Sequence, residues 1–383
     1  ALSMRFRTDV RRTTRIVRVP GARIELALDV GRIVAGERTL PICEFELELK
    51  SGRVDALVGA AAQWAGRHGL WLSTVSKSER GARLARGDPE AGAVAAEALR
   101  FDAAQGLEAL RAAALRNCLA QVFGNASEAA AGAGDERIVH QLRIGLRRLR
   151  TALRELGTPA GAAEAAWEPV LRGTFEELGA HRNLATVVPG LRAELLAAGA
   201  PSWPVPEAAH PARSPQAVVR DPAFQRVLLE VLARGETPAA ANGGEGRAAS
   251  DGAREVRKFV AARLEALHHR IERDGKRFAS LDVERQHRVR KRLKRLRYLG
   301  EFAAPLFGAR PVARYLAAWG DAQDELGRYN DQRVAAAEFA REAETQPHAW
   351  FGVGWLAARR RTAVKRCERV LRKAAKTRPF WHE

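Results

Sequence analysis

The sequence predicts a mainly α protein built on a duplicated helical unit and preceded by a small α+β segment. Three observations predict it. The first is His140 to Arg154, HQLRIGLRRLRTALR. At about 100° per residue, His140, Arg143, Arg147, Arg150 and Arg154 fall within an arc of roughly 80° of a helix, and Leu142, Leu146, Leu149 and Leu153 share an adjacent stripe. The second is the return of that pattern at His287 to Arg297, HRVRKRLKRLR. There His287, Arg290, Lys294 and Arg297 make the charged stripe, and Val289, Leu293 and Leu296 the apolar one. The third lies downstream of each histidine at nearly the same offset, where Glu177 to Asn183 (ELGAHRN) is echoed by Glu325 to Asp331 (ELGRYND). Two matched pairs in one order indicate a duplicated helical unit.

The totals agree with a folded, basic protein. The chain has 383 residues, of which 46% are hydrophobic, so two or three domains with ample core are expected. Lys plus Arg outnumber Asp plus Glu by 64 to 45, a net charge of +19. That balance predicts a polyanionic partner: nucleic acid, polyphosphate or an anionic membrane surface. Arginine dominates, and its planar fork suits bidentate phosphate contact. Cys43, Cys118 and Cys367 are odd in number, with no C-x-x-C, which supports neither a disulfide framework nor a zinc site and fits a reducing cytosol. No stretch approaches the roughly 18 apolar residues of a membrane span, and no signal peptide is evident.

Residues 4 to about 86 read as mostly β. Arg15 to Val19 and Ala22 to Leu28 are strands around the turn signal Pro20-Gly21, and Asp29 to Gly31 is a further expected turn. Cys43 to Lys50 alternates, with Phe45, Leu47 and Leu49 on one face and Glu44, Glu46, Glu48 and Lys50 on the other. Arg53 to Gly69 has the spacing of an amphipathic helix, and Ser76 to Gly81 reads as a polar loop. After a linker at residues 87–100 the chain reads α almost throughout. Helices are expected at Leu107 to Phe123, at the His140 stretch with Asp135 as cap, at Trp167 to Leu178 and at Val187 to Ala198. The E-L-G segments read as turns. Residues 129–134, 201–215 and 237–252 read as flexible, with a short helix at Ala223 to Arg234. Further helices are expected at Arg254 to Arg273, Val283 to Phe302, Val312 to Tyr329, Gln332 to Glu344 and Val353 to Lys376.

The repeated H-x-x-R-x-x-x-[RK]-R-x-R helix, followed each time by L-G-x-x-[RN]-[ND], resembles the CHAD domain, the conserved histidine α-helical domain. The resemblance covers residues 95–383, with repeat one at about 100–200, a flexible insertion at about 200–252 and repeat two at about 253–383. It implies an antiparallel helical bundle with pseudo-two-fold symmetry that binds inorganic polyphosphate along its basic helices, needs no cofactor for that, and resides in the cytoplasm with polyphosphate granules. Residues 1–88 resemble half of a CYTH domain, the triphosphate tunnel fold, through Arg11-Arg12, Asp29-x-Gly31-x-Ile33, Glu44-x-Glu46-x-Glu48-x-Lys50-Ser51-Gly52 and Ser76-Lys77-x-Glu79-Arg80-Gly81. That resemblance implies Glu46 and Glu48 as ligands of a Mg or Mn ion, and Arg12 and Lys77 as triphosphate-side groups. The opening E-x-E-x-K strand of that family has no counterpart upstream of Arg5. Binding, and not triphosphate hydrolysis, is therefore the expectation, with a metal-dependent triphosphatase as the alternative.

The charge pattern itself argues for a ligand. Arg285 to Arg297 holds eight Lys or Arg and no acid. Like charges at i,i+3 and i,i+4 repel by a few tenths of a kcal/mol per pair. A cost repeated in two matched helices suggests a polyanion that offsets it. The candidate contacts are His140, Arg143, Arg147, Arg148, Arg150 and Arg154, with His287, Arg290, Lys291, Lys294, Arg295 and Arg297. Arg148 and Arg295 lie off the main stripe, in a position to widen a groove. Aromatic residues are only 6% and nearly absent from the stripes, so specific reading of nucleic acid is not expected, and non-specific binding is the rival. No Ser/His/Asp arrangement and no H-E-x-x-H suggests catalysis in the helical part.

Overall fold

The computed structural model describes residues 4–88, 92–157, 162–205, 213–236 and 247–382. Strands β1 (Arg7–Val19), β2 (Ala22–Ala35) and β3 (Arg38–Gly52) form an antiparallel meander in that order. Gly21, at φ 87°, makes the first reversal, as Pro20-Gly21 predicts. The expected turn at Asp29 to Gly31 is instead the middle of β2. Gly31 stands opposite Val10, and a Cβ there would meet the Asp9 carbonyl oxygen at 2.1 Å, so this glycine serves close strand approach and not chain reversal.

Helix α1 (Val54–His68) packs on β2 and β3, with the Trp64 ring tilted against Phe45 at 4.7 Å between centroids. The expected loop at Ser76 to Gly81 begins α2 (Lys77–Arg86). The Ser76 hydroxyl accepts from the Glu79 amide, half of a capping box that the S-x-x-E spacing carries. Segment 92–102 is extended along α3 (Gly106–Ala131), where Asn125 bonds both the amide and the carbonyl of Val94. That helix continues through the small residues read as flexible, burying Ala129 and Ala130.

Helix α4 (Glu136–Leu156) carries the first basic stripe, capped by Asp135 as expected. Helix α5 (Ala162–Arg182) passes through a π-helical turn, Asn183–Val187, into α6 (Val188–Ala197). Then come α7 (Pro215–Val219), α8 (Pro222–Glu236) and α9 (Arg247–Gly275), followed by α10 (Val283–Ala303) with the second stripe, α11 (Ala309–Glu342) and α12 (Trp350–Ala374). Helix α4 packs between α3 and α5, α10 packs between α9 and α11, and α4 and α10 meet at the centre. Leu142, Leu146 and Leu149 on one side and Val289, Leu293 and Leu296 on the other are fully buried in one core.

The E-L-G segments are not turns. Glu177 to Arg182 ends α5 with no reversal, and Glu325 to Asp331 lies inside α11, a single 34-residue helix where two are expected. The expected flexible insertion is also only partly so. Residues 206–212 and 237–246 lie outside the described residues. Around them, α8 places Phe224, Val227, Leu228 and Val231 in the main core, and Trp203 is buried against Phe339, donating to Glu342 at 2.6 Å. Arg192 donates to both oxygens of that carboxylate and closes a smaller second core between α6 and α11.

Candidate functional site

The packing of α4 on α10 brings the two stripes together. Arg147, Arg150 and Arg154 line one groove of about 1050 Å³ with His287, Arg290, Lys291, Lys294 and Arg295. Arg143 lies beside them, under the combined field of Arg147, Arg182 and Arg290. Among the described residues, Arg143, Arg147, Arg154, Arg290, Lys291, Lys294 and Arg297 form no ion pair. The buried Nε atoms of Arg143, Arg290 and Arg297 find no hydrogen-bond partner. Unpaired buried donors cost stability, so this convergence needs local support.

Part of that support is Phe175 of α5. The guanidinium carbons of Arg143, Arg147 and Arg150 lie 4.8, 4.9 and 5.8 Å from its ring centroid. A ring face attracts cations by about 0.5–1 kcal/mol each at such range. Gly179, one helical turn further on, explains the glycine of the first E-L-G segment. A Cβ there would meet Arg143 Nη2 at 2.9 Å, so glycine lets the guanidinium lie against the helix backbone. A further part is Asp331 of α11, which stands 3.7 Å from Arg182 and opposes the field on Arg143, Arg290 and Lys294. Phe175, Arg182 and Asp331 were not assigned from sequence. Asn183 and Asp331, the last residues of the two E-L-G segments read as turns, lie within helical segments.

Electrostatics show the strain. Burial, then Arg147, Arg182 and Arg290, pushes Arg143 down to about 9. Burial and Arg147 push Arg290 down to about 10. Lys294 is pushed well below the usual lysine range by burial first, then by Arg147, Arg290 and Arg143. His287 is lowered to about 4 by burial, Lys291, Arg290 and Arg333, and His140 is lowered by burial, Arg182, Arg143 and Arg147. A guanidinium keeps its proton in proteins, so the arginines hold this cost as repulsion. An anion in the groove would relieve it.

The structure sorts the remaining candidates. Arg148 does not face the groove. It is fully buried, donates to Asn117 at 2.8 Å and Gln121 at 3.2 Å, and pairs with Glu301 of α10 at 3.5 Å. Arg295, its counterpart in the second repeat, pairs with Glu155 of α4 at 3.1 Å. Equivalent arginines thus reach across the central seam in opposite senses and tie α4 to α10. Arg150 donates to Glu168 at 3.0 Å and is partly neutralised. Arg297 is half-buried near Glu301, and His140 is only partly open to solvent at the head of its stripe.

In the N-terminal segment the implied metal and phosphate groups neutralise one another. Arg12 donates to Asp29 at 2.7 and 2.6 Å and to Glu46 at 2.8 Å. Lys77 reaches Asp29, Glu44 and Glu46 at 2.9, 2.5 and 2.7 Å. Glu48 pairs with Lys50 at 3.0 Å. Arg12 and Lys77 hold the buried Asp29 carboxyl far below the usual range. Among the described residues no three acid, histidine or cysteine side chains gather as a metal would require. Carboxylates so engaged with cations do not fit a Mg or Mn ion as they stand.

The paired basic helices, met at a central seam and repeated along the chain, define the class. The CHAD domain family model matches residues 113–340, more than half of the chain, and the chain belongs to that family. It is similar to the crystal structure of the CHAD domain from the plant Ricinus communis, with a TM-score of 0.55 and 26% identity over 74% of this chain and 98% of that one. It is also 41% identical over 76 residues to an inorganic triphosphatase of Haemophilus influenzae, 20% of this chain and 22% of the relative. The chain thus spans about a fifth of the length of that curated relative. Among the described residues no helix is long and apolar enough to cross a membrane.

Proposed function

We propose that the groove between α4 and α10 binds inorganic polyphosphate through Arg143, Arg147, Arg290 and Lys294, with Arg154, His287, Lys291 and Arg297 extending the contact and His140 at its margin. The observation that carries this reading is the convergence of those four cations without a carboxylate partner. A linear chain with about one charge per phosphate matches closely spaced cations better than a nucleic acid does, and of the aromatic residues at the groove Trp167 is buried and tied to Glu230, so it offers no open face on which a base could stack. Phe175 does not offer one either, because three guanidinium groups occupy its surroundings. The binding module is residues 95–383, and its setting is the cytoplasm, on polyphosphate granules.

The test is titration of the chain with long-chain polyphosphate at two salt concentrations, with single-stranded DNA as competitor. Tight binding that weakens steeply with salt and that DNA fails to displace is expected. Equal binding of the two polymers would reduce the groove to a general polyanion site. The second reading, a metal-dependent triphosphatase, draws on the name of the Haemophilus relative, and release of phosphate from triphosphate on addition of Mg or Mn is its test.

A further inference from the structure

We propose that Lys294 is a site of covalent acylation by acyl phosphates, which enter the groove where one phosphate of the polymer sits. This rests on the phosphate-binding reading above. Lys294 lines the groove and forms no ion pair. The charged groups that face it are Arg143 and Arg147 on α4, Arg290 on its own helix and Asp331 on α11. Three cations to one acid, with burial, destabilise its ammonium form. A desolvated lysine beside other cations is an activated nucleophile. The other lysines lack this setting. Lys77, Lys50 and Lys276 are held in ion pairs, and Lys291, Lys365 and Lys373 are exposed.

The chemistry balances without a further reactant. The donor's phosphate dianion docks on Arg147 and Arg290, which presents its acyl carbon to Nζ, and the free-amine fraction of Lys294 is the form that reacts. The nitrogen lone pair forms the C–N bond, the acyl C–O bond breaks, and phosphate leaves with its electron pair. One amine proton ends on that phosphate as hydrogenphosphate. The guanidinium groups that dock the donor also stabilise the departing charge. The product is a neutral amide in place of a cation, inside the groove. Acyl phosphate would therefore act as a covalent brake on polyanion binding.

The experiment is a time course of the full chain with acetyl phosphate at pH 7.5, read by site-resolved mass spectrometry, with acetic anhydride as a donor lacking phosphate. Each pKa unit by which an ammonium is destabilised raises the free-amine fraction about tenfold. Lys294 is expected to be acetylated at least about tenfold faster than Lys291 or Lys365 by acetyl phosphate. Excess polyphosphate should suppress the reaction at Lys294 and leave that at Lys365, away from the groove, unchanged. Treated protein should lose polyphosphate affinity, whereas treated Lys294→Arg should keep the affinity of untreated Lys294→Arg. Equal rates at Lys294 and Lys291 with acetyl phosphate overturn the proposal, whatever the polymer does. Selective Lys294 modification that polyphosphate fails to block upholds acylation and overturns polymer binding in this groove.

Discussion

Replacing Lys294 by Met should make the unliganded protein more stable and the liganded protein less so. Lys294 is a partly buried cation with no ion pair, facing Arg143, Arg147 and Arg290. Exchanging buried charge for an apolar side chain of similar volume often stabilises by about 1–4 kcal/mol. Because Lys294 lines an open groove, the low end applies, about 1 kcal/mol, or roughly 2–4 °C in Tm for a domain of this size. Ligand at 100 times its Kd stabilises the native chain by about 2.7 kcal/mol. Loss of one charge-assisted contact of about 1.5–3 kcal/mol leaves the variant with about 1.3 kcal/mol or less of that. The order of the two melting temperatures should therefore invert between buffer and saturating polyphosphate. Thermal unfolding of both proteins, with and without the polymer, reads this directly. A variant that melts lower without ligand, or an equal ligand shift in both proteins, would refute the view that the stripe holds strain for an anion.

Other perturbations separate the groove from its supports. Phe175→Leu should weaken polyphosphate binding several-fold in a titration and leave the circular dichroism spectrum unchanged, because it removes a ring that steadies Arg143, Arg147 and Arg150. Arg148→Met should lower stability by about 2 kcal/mol or more in denaturant unfolding, because Glu301 loses its partner, while the affinity of the folded fraction changes little. His287, at about 4 when folded, takes up its proton earlier in the unfolded chain, at about 6.5. The unfolded state binds more protons in that window, so stability falls as pH drops from about 6.5 to about 4. His287→Gln should flatten part of that fall in melting curves, and in the native protein bound polyphosphate should do the same.

The two basic helices were legible because a helix repeats every 3.6 residues, and the spacing of His140, Arg143 and Arg147 recurs at His287, Arg290 and Lys294. Arg148 was not separable from them. On a wheel it lies about 120° from the middle of the stripe, and a single helix cannot say that this side is buried as well. What decides it is Asn117 and Gln121 on α3, distant in sequence. The E-L-G segments were misread for a related reason. A glycine usually signals reversal, but Gly179 answers to Arg143, and nothing local to the segment records that contact. In the N-terminal segment, alternation placed the acids of β3 on one face correctly. It gave no sign that Lys77, on a helix after the sheet, would be folded down onto Glu44 and Glu46.

The cross-seam pairs, Arg148 with Glu301 and Arg295 with Glu155, have a mechanical consequence. Four unpaired cations press α4 and α10 apart along the groove, and the two pairs hold them from a third of a turn away. The seam is thus prestressed, like a joint clamped on one side against a spring on the other. A polyanion entering the groove unloads the spring without having to move the clamp. Free and bound shapes should then nearly coincide, and little ordering entropy is spent on association.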